Sequence, residues 1–311
     1  MRQKHSATIK HLSQSHGFDF CGISEAGFLE DHAKKMELWL KQGYQGEMQY
    51  LENHFDKRLD PRLLVPGAKT VVSLMYNYYP ETSIGEGNYK IGRYAYGEDY
   101  HSVVKDKCYA LLNDLRACLG DIEGRVFVDS APVLERAWAE KSGLGWIGKH
   151  GLLINKQRGS YFFLAELIID LECEPDGPIK DYCGTCTRCV DACPTEAILP
   201  NKTLNASHCI SYLTIELKSA IDEQFGNKMN NWIFGCDICQ EVCPWNRFAA
   251  PHQEPRFAPI EAHGFTKQDW ESIGQEQFNR IFKISPIKRT GFDGLKRNIH
   301  IQKRNSHHSL D

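Results

Sequence analysis

The sequence predicts a mixed α/β or α+β fold, in which an N-terminal α/β domain precedes a cysteine-rich domain and a short helical C-terminal segment. Two observations favour this organisation. Strand and helix patterns alternate through the first half of the chain, and eight of its 12 cysteines lie between residues 183 and 243. The 311 residues, 41% hydrophobic and 25% charged, suit about two soluble domains. We place the three units at residues 1–175, 176–250 and 251–311.

Hydrophobic periodicity predicts the elements of the α/β domain. Helical spacing of apolar residues indicates helices at residues 6–12, 31–41, 103–119 and 133–141. Runs rich in β-branched and aromatic residues indicate strands at residues 18–23, 70–76, 125–128, 152–155 and 161–170. Ser6 is expected to cap the first helix, and Pro132 is expected in the first turn of the fourth.

Asp129 follows the strand at residues 125–128 directly. In open α/β sheets ligands bind at the carboxyl ends of strands, and a carboxylic acid there can donate a proton if burial raises its pKa. The alternative is that Asp129 caps the next helix. The loop at residues 143–151 contains four glycines, Trp146 and Lys149, which suits close approach of its backbone to a large ligand. We therefore expect a ligand site at Asp129 and this loop.

The segment at residues 92–101 is rich in aromatic, basic and glycine residues, which suits a third part of that site. A packed, turn-rich connection is the alternative. The segment contains Asp99 and His101, which resemble the start of the Asp-x-His-x-x-Gly signature of proteins that ligate cobalt through histidine. Val104 occupies the glycine position, so this signature is absent.

The cysteine-rich stretch contains two related runs that each end in Cys-Pro. The first has the spacing Cys-x2-Cys-x2-Cys-x3-Cys-Pro, which is typical of bacterial ferredoxins with two four-iron clusters. The second run has three cysteines, and Cys209, upstream of it, is the candidate for the missing ligand. The runs consist of Cys183, Cys186, Cys189 and Cys193, and of Cys236, Cys239 and Cys243.

Ferredoxin spacing also predicts which cysteines share a cluster, because the cysteine before proline ligates the other cluster. We expect one cluster on Cys183, Cys186, Cys189 and Cys243. We expect the second on Cys193, Cys209, Cys236 and Cys239. A pair of structural zinc sites is the alternative, but triple runs ending in Cys-Pro favour iron–sulfur clusters. A disulfide framework is disfavoured in a long chain without a secretory signal.

Charge and hydropathy exclude two broad classes of protein. The net charge of −3 does not attract nucleic acid to the whole surface, so any such contact must be local. The sequence has no apolar run of the roughly 18 residues needed to span a bilayer. Its N-terminus lacks the apolar centre of a signal peptide. These patterns predict a cytoplasmic protein without a membrane partner.

Taken together, these motifs resemble the epoxyqueuosine reductase family over nearly the whole chain. The resemblance is carried by the first Cys-Pro run and by residues 93–101, 128–136, 143–149, 209–216 and 235–246. It implies removal of the epoxide oxygen from epoxyqueuosine at the wobble position of tRNA. It also implies two [4Fe-4S] clusters and base-off cobalamin in the N-terminal domain, with core architecture similar to reductive dehalogenases.

The resemblance assigns roles to individual residues. Asp129 is implied as the proton donor to the epoxide oxygen, which requires a raised pKa against the apolar face of the corrin. Two of the implied cobalamin contacts, Ser211 and Asp237, lie within two residues of a predicted cluster ligand. The full set of implied contacts is Arg58, Tyr94, Asp129, Lys149, Ser160, Ser211 and Asp237. For Arg58, a solvated surface charge is the alternative.

The chain resembles a short form of the family, without the helical-repeat domain that many members carry after the clusters. We expect a monomer that receives electrons from an external low-potential donor. The C-terminal segment is basic and could contact RNA phosphates, or could form a solvated surface helix. Its cations are Lys283, Lys288, Arg289, Lys296, Arg297, Lys303 and Arg304. We expect residues 305–311 to be disordered.

Two other functions compete with tRNA modification. A cobalamin-dependent reductive dehalogenase would share the clusters and the corrin, although such enzymes typically carry an export signal. A simple iron–sulfur electron carrier would not need an α/β domain of this size with a glycine-rich loop and an acid at a strand end.

Overall fold

The computed structural model describes residues 1–84 and 87–308, without the side chains of residues 305–308. Within these residues the helices are α1 (Arg2–Ser15), α2 (Glu30–Lys41), α3 (Phe55–Leu59), α4 (Tyr100–Leu119), α5 (Glu135–Lys141), α6 (Arg188–Asp191), α7 (Ile210–Ile215), α8 (Glu223–Gly226), α9 (Ile238–Glu241), α10 (Lys267–Ser272), α11 (Gln275–Ile281) and α12 (Gly291–His308). The strands are β1 (Phe20–Glu25), β2 (Thr70–Asn77), β3 (Lys90–Ile91), β4 (Gly124–Phe127), β5 (Trp146–Ile147), β6 (Leu153–Ile154), β7 (Phe162–Ile169) and β8 (Trp232–Phe234).

A four-stranded sheet in the order β1-β2-β7-β4 forms the centre of the N-terminal half. All of its neighbouring strands are antiparallel. Alternate side chains of β2 therefore point to opposite faces: Val72 and Leu74 pack in the core that includes α1 and α4, whereas Val71 packs with Trp138 of α5. This sheet is sandwiched between helices, as an α/β domain requires.

The antiparallel sheet changes the argument for Asp129. The rule that ligands bind at the carboxyl ends of strands applies to open parallel sheets, so it does not single out this residue. Asp129 does lie two residues beyond the end of β4, but it does not cap α5, whose N-cap is Leu134. The alternative role as a helix cap is therefore wrong.

The predicted helices and strands of the first half are all present. Their ends differ by a few residues, most clearly in α1, which begins at Arg2 instead of Ser6. Ser6 lies inside that helix, and its hydroxyl donates to the carbonyls of Arg2 and Glu174, so the predicted cap is wrong. Pro132 precedes the first turn of α5 instead of lying in it.

The second half of the chain is built from short helices and contains a core of its own. Strand β8 pairs in parallel with β3, and this pair is covered by α10, α11 and α12. Trp270, Phe282 and Leu295 are almost fully buried there, beside Ile91 and Phe234. Residues of the predicted C-terminal unit thus pack against parts of both other units. The boundaries that we placed between the three units stay a prediction.

The C-terminal segment is helical where it is described. The backbone of α12 continues to His308, and residues 309–311 of the predicted disordered tail lie outside the described residues. No helix in the described ranges is long and apolar enough to cross a membrane.

Candidate active site and metal centres

The four cysteines predicted to bind the first cluster line one cavity of about 80 Å³. Two neighbours from the glycine-rich loop support its wall. Trp146 donates its ring N–H to the Sγ of Cys183 at 3.3 Å. Lys149 donates from Nζ to the carbonyls of Gly184 and Cys186, at 3.0 and 2.8 Å. The loop therefore packs against the first cysteine set and shapes it.

The four cysteines predicted to bind the second cluster are also neighbours. Cys209 and Cys236 pack against the same buried hydrophobic cluster. Burial raises the pKa of Cys239, and the charges of Cys209, Asp237, Cys189 and Cys193 raise it further. Burial also raises the pKa of Cys236, with contributions from Cys209 and Cys239. Four cysteine thiolates are the donor set of a [4Fe-4S] cluster. Among residues 1–84 and 87–308, no group of His, Cys, Asp or Glu has the geometry of a site for a single metal ion.

Helix α7 leads from the second cysteine set to the region of Asp129. Cys209 is its N-cap residue, and Glu216 follows its last turn. Glu216 accepts two hydrogen bonds from the guanidinium of Arg289, at 2.7 and 3.1 Å. The hydrogen bond with Glu216 raises the pKa of Arg289, and the charges of Glu216, Tyr50 and Asp129 add to it. The sequence analysis counted Arg289 among the C-terminal cations that could contact RNA or lie on a solvated surface helix.

The loop before α3 covers α7. The hydroxyl of Tyr212 accepts a hydrogen bond from the backbone N–H of Glu47 at 2.7 Å. Gly46 has a φ of 59°, and a Cβ built there would lie 2.4 Å from the Tyr212 hydroxyl oxygen, so only glycine fits. The same loop carries Tyr50, which is 45% exposed, to the edge of the Asp129 site.

Asp129 has an unusual backbone conformation. Its φ is 54°, in the left-handed region that non-glycine residues adopt only at a cost. Its backbone N–H donates to a carboxylate oxygen of Glu135, which stabilises the turn. Its carboxylate oxygen Oδ2 accepts from Tyr100 Oη at 2.8 Å and lies 3.0 Å from His101 Nε2.

These contacts determine where the proton of the site resides. Partial burial raises the pKa of Asp129, but hydrogen bonds from His101 and Tyr100 outweigh it and lower the pKa below its usual value. Burial lowers the pKa of His101, but its hydrogen bonds with Asp129 and Asp99 raise it to about 9. The predicted raised pKa of Asp129 is therefore wrong, because the hydrogen bonds favour the carboxylate. Near pH 7 the proton is on His101.

His101 is held on both sides. Its Nδ1 lies 2.7 Å from Oδ1 of Asp99, which also accepts from the backbone N–H of His101 and caps α4. Its ring stacks on Tyr100 at 4.2 Å, and Tyr100 stacks on Phe163 at 4.1 Å. The imidazole thus has a fixed orientation toward Asp129. Because both ring nitrogens face carboxylates, His101 cannot also serve as a cobalt ligand.

Two more carboxyl groups lie behind Asp129. Burial raises the pKa of Glu135 to about 8, and the charge of Asp129 adds to this. Glu166, in the middle of β7, is fully buried, and neither carboxyl oxygen has a hydrogen-bond partner among the described residues. Burial raises the pKa of Glu166 well above its usual value, so this side chain is a neutral acid.

The predicted cobalamin contacts fall into two groups. Tyr94 and Ser211 are half-buried near Asp129 and α7, and Arg58 is only 9% exposed and donates to the carbonyl of Tyr50 at 2.8 Å. The surface-charge alternative for Arg58 is therefore wrong. Burial raises the pKa of Tyr94, and the charges of Asp237 and Asp129 contribute. Of these residues, Tyr94 is near enough to Asp129 for its charge to act on it, and the role of all three in binding cobalamin stays a prediction.

The other predicted contacts are used by the cysteine-rich domain. Lys149 lies against the first cysteine set, as described above. Ser160 is 5% exposed, and its hydroxyl lies 3.1 Å from amide nitrogens of Gln240 and Asn246. Asp237 is buried and accepts from the backbone N–H of Arg93 at 2.8 Å and from its guanidinium at 3.3 Å. Arg93 therefore forms an ion pair with Asp237.

Sequence reasoning missed His101, Glu135 and Glu166 as parts of the site. The segment that contains His101 was predicted as part of the ligand site, but His101 itself was compared only with a cobalt-ligand signature. Glu166 is hidden in an apolar strand pattern, where a single Glu among Phe, Leu, Ala and Ile is the one available signal. The proximity of Glu135 to Asp129 depends on the turn between them.

Two protein families match parts of the chain. Residues 58–130 match the family described as "Epoxyqueuosine reductase QueG, DUF1730", and residues 182–246 match "4Fe-4S double cluster binding domain". The chain is 59% identical over 304 residues to the epoxyqueuosine reductase of Cyclobacterium marinum, with 97% of each protein covered. It is 39% identical to that of Escherichia coli, with 94% of this chain and 78% of that protein covered.

Solved structures agree in fold. A crystal structure of epoxyqueuosine reductase with an epoxyqueuosine-modified tRNA-Tyr stem loop has a TM-score of 0.90 and 30% identity, covering 97% of this chain and 81% of that one. A Bacillus subtilis epoxyqueuosine reductase, in which a catalytic aspartate loop is swung out of the active site, has a TM-score of 0.89, with 97% and 82% covered. A catabolic reductive dehalogenase, at 17% identity and a TM-score of 0.50, covering 96% and 38%, resembles the chain in fold alone.

Proposed function

Because this chain belongs to the epoxyqueuosine reductase family, we propose that it reduces epoxyqueuosine to queuosine at the wobble position of tRNA, with base-off cobalamin and two [4Fe-4S] clusters. One observation carries this proposal. Helix α7 begins at Cys209, in the second cysteine set, and leads to Glu216 and Arg289 beside Asp129. A redox centre and a proton-donating group are thus joined by one short helix.

The cysteines divide into two ligand sets. Cys183, Cys186, Cys189 and Cys243 hold the first cluster, which is supported by their shared cavity. Cys193, Cys209, Cys236 and Cys239 hold the second, which is supported by the mutual effect of their charges. When bound, the two clusters would supply one-electron transfer from an external low-potential donor.

Cobalamin would be held by Tyr94, Ser211 and the loop that Arg58 supports, which offer half-buried aromatic and polar surfaces. The engagement of both His101 nitrogens suits base-off binding without a histidine on the metal. When bound, cobalamin would supply a cobalt centre that delivers electrons to the epoxide carbon. The other implied contacts would act indirectly, through their hydrogen bonds to the cysteine-rich domain; they are Lys149, Ser160 and Asp237.

The chain itself supplies the first of two protons. Reduction of an epoxide to an alkene releases its oxygen as water, which requires two electrons and two protons. His101 holds one proton at Nε2, next to Oδ2 of Asp129. As negative charge develops on the epoxide oxygen, the imidazolium transfers this proton to Asp129, and Asp129 transfers it to the oxygen, which leaves a neutral imidazole. The second proton comes from solvent, which reaches the half-exposed Asp129. Tyr100 orients the carboxylate by donating to the same oxygen.

The RNA and the compartment complete the proposal. The substrate is tRNA carrying epoxyqueuosine, and its modified base must reach Asp129 past the exposed rim around Tyr50 and Arg289. The enzyme acts in the cytoplasm as a monomer.

The test is turnover of a defined substrate. Protein purified anaerobically with both clusters and cobalamin is reduced and incubated with tRNA that contains epoxyqueuosine. Nucleosides are then analysed by mass spectrometry. The expected result is loss of one oxygen from the modified nucleoside, and a persistent epoxide after complete cluster reduction would contradict the proposed function. The control is the same epoxyqueuosine-containing tRNA, incubated with protein that lacks the clusters.

A further inference from the structure

An aromatic path connects the first cysteine set with the protein surface. Trp146 is buried and donates to the Sγ of Cys183 at 3.3 Å. Its ring centroid lies 5.3 Å from that of Tyr182 and 5.0 Å from that of Trp245. Trp245 in turn lies 6.2 Å from Phe248. Tyr182 and Phe248 are 40% and 39% exposed, so large apolar rings reach solvent beside the first cysteine set.

Two cations lie over these rings, and a third shares the wall of a neighbouring groove with Arg247. Lys156 lies 4.7 Å above the ring of Tyr182, and Arg247 lies 4.4 Å above that of Phe248. Arg188 is exposed on α6, next to Cys189. In the described ranges, none of the three cations has a carboxylate within ion-pair distance. We call Tyr182, Trp245, Phe248, Lys156, Arg188 and Arg247 the aromatic face.

Two of the three carboxylates near the aromatic face are neutralised by cations. Asp181 pairs with Lys202, and Glu241 pairs with Arg93 at 2.8 Å. Asp191 accepts from the hydroxyl of Thr187 at 2.7 Å. The face therefore presents cations around a centre of rings, which complements an acidic surface with an apolar centre.

A groove leads from the aromatic face to a cluster ligand. Its volume is about 1000 Å³, and its wall includes Arg188, Arg247 and Cys243. Electron transfer requires the two redox groups to come close, and small, transient interfaces are typical of redox partners. A partner bound in this groove would place its redox group next to Cys243 of the first cysteine set. The second cysteine set is the one that adjoins α7.

We propose that the aromatic face is the docking site for an acidic one-electron carrier protein of the flavodoxin or ferredoxin class. This inference rests on the proposed function, because it assumes that the first cysteine set holds a cluster. Each docking event oxidises the carrier by one electron and reduces the first cluster by one electron. Two events supply the two electrons that one epoxide consumes, and no other reductant is needed.

The test measures cluster reduction directly, in the protein with both clusters and cobalamin. Reduced flavodoxin is mixed with the oxidised protein in a stopped-flow instrument, and bleaching of the iron–sulfur absorbance gives the second-order rate. The triple variant Lys156→Glu, Arg188→Glu and Arg247→Glu should lower this rate by about tenfold or more at low salt and flatten its salt dependence. Reduction by the small methyl viologen radical should be unchanged.

The matched control reverses three exposed lysines of the α/β domain, Lys4, Lys34 and Lys35 on α1 and α2. It should leave the flavodoxin rate within about twofold of the original. An unchanged rate and salt dependence in the aromatic-face variant, at equal iron content, would overturn the proposal. So would complete competition by unmodified tRNA, because the face would then bind RNA instead. The readout is independent of epoxide turnover, so failure of the proposed function would be seen separately.

An uncharged variant tests the apolar centre. Phe248 is 39% exposed, so Phe248→Ser removes little packing and should not impair folding. It should slow reduction by flavodoxin several-fold without changing the salt dependence, because the ring of cations stays in place. Equal rates with and without the Phe248 ring would restrict docking to charge alone and contradict the aromatic face as defined.

Discussion

The Asp129 carboxylate is held ionised by two hydrogen bonds, yet the proposed reaction needs it as a proton donor. In the proposed mechanism Asp129 therefore works as one end of a pair, with the proton stored on His101. This explains why a half-exposed acid, 51% accessible, can function without a raised pKa. An acid buried against the corrin, as the sequence had suggested, is not required.

The substitution Asp129→Asn tests whether this carboxylate transfers the proton. The amide keeps the size of the side chain and can still accept from Tyr100, so clusters and cobalamin should bind as before. Turnover should fall by about 10² to 10⁴, the usual contribution of general acid catalysis. Single-turnover formation of queuosine is the measurement, with the visible spectrum as control for the cofactors. Turnover at the original rate would remove Asp129 from the mechanism.

The pH dependence of turnover reports on His101, whose pKa is raised to about 9. The donor is the protonated form, so the rate should decline as pH rises through about 9. In Asp99→Asn the imidazolium loses a neighbouring negative charge, so its pKa falls and the alkaline limb moves to lower pH. Asn is also a good N-cap, so α4 should keep its stability.

The profile distinguishes catalysis from a structural role for His101. If His101 had only a structural role, Asp99→Asn would lower the rate equally at every pH. If His101 supplies the proton to Asp129, the decline of the rate at alkaline pH should begin at a lower pH. His101→Gln should abolish the limb altogether. An Asp99→Asn pH–rate profile that coincides with the wild-type profile after scaling would contradict proton transfer through His101.

At the scale of elements, α7 joins two functions through Cys209. The substitution Cys209→Ser should remove one ligand of the second cluster only, because the first four cysteines line a separate cavity. Anaerobically reconstituted protein should contain about half of the original iron, since each predicted cluster has four irons. Iron analysis and electron paramagnetic resonance provide the measurement. Cys118→Ser, at an exposed cysteine outside both runs, is the control, and full iron content in Cys209→Ser would reject this ligand.

The C-terminal cations are less available for RNA than their sequence suggests. Arg297 donates to the carbonyls of Leu213, Leu217 and Ser219, while Lys303 pairs with Glu271 at 2.7 Å. These contacts fasten α12 to the rest of the domain. Within the described residues, only Lys283 and Lys288 of the seven cations have neither a side-chain hydrogen bond nor an ion pair.

A charge-neutralising pair tests what remains of the RNA-binding hypothesis. If Lys283 and Lys288 contact phosphates, Lys283→Gln with Lys288→Gln should lower the slope of log affinity against log salt by about 0.7 to 0.9 for each lysine. Fluorescence anisotropy with a tRNA stem loop at several salt concentrations measures this. Lys303→Gln, which breaks an internal ion pair, should leave the slope unchanged. Equal slopes in all three proteins would assign these lysines to the solvated surface.

At the scale of the whole molecule, the C-terminal helices support the cluster region through a shared core. Trp270 of α10 is 1% exposed and packs in the same cluster as Phe234, which directly precedes Gly235 and Cys236. Trp270→Ala should lower the free energy of unfolding by about 3 to 5 kcal/mol. It should also lower the iron content, because β8 positions Cys236.

Urea titration and iron analysis measure both effects of Trp270→Ala. Phe28→Ala, at a side chain that is 46% exposed, is the control and should change stability by less than about 1 kcal/mol. Wild-type iron content in a strongly destabilised Trp270→Ala protein would contradict the link between this core and the second cysteine set.

The sequence by itself determined the metal chemistry and the helices and strands of the first half, and it predicted Asp129 as a candidate site residue. Ligand spacing and hydrophobic periodicity are local properties, so Cys-x2-Cys runs and the pattern of β2 can be recognised without a fold. The tertiary structure decided what depends on distant contacts. In the structure the sheet is antiparallel, and His101 instead of Asp129 holds the proton. Lys149 and Asp237 form hydrogen bonds that support the cysteine-rich domain. A pKa or an ion pair is set by neighbours in space, and a linear pattern does not contain them.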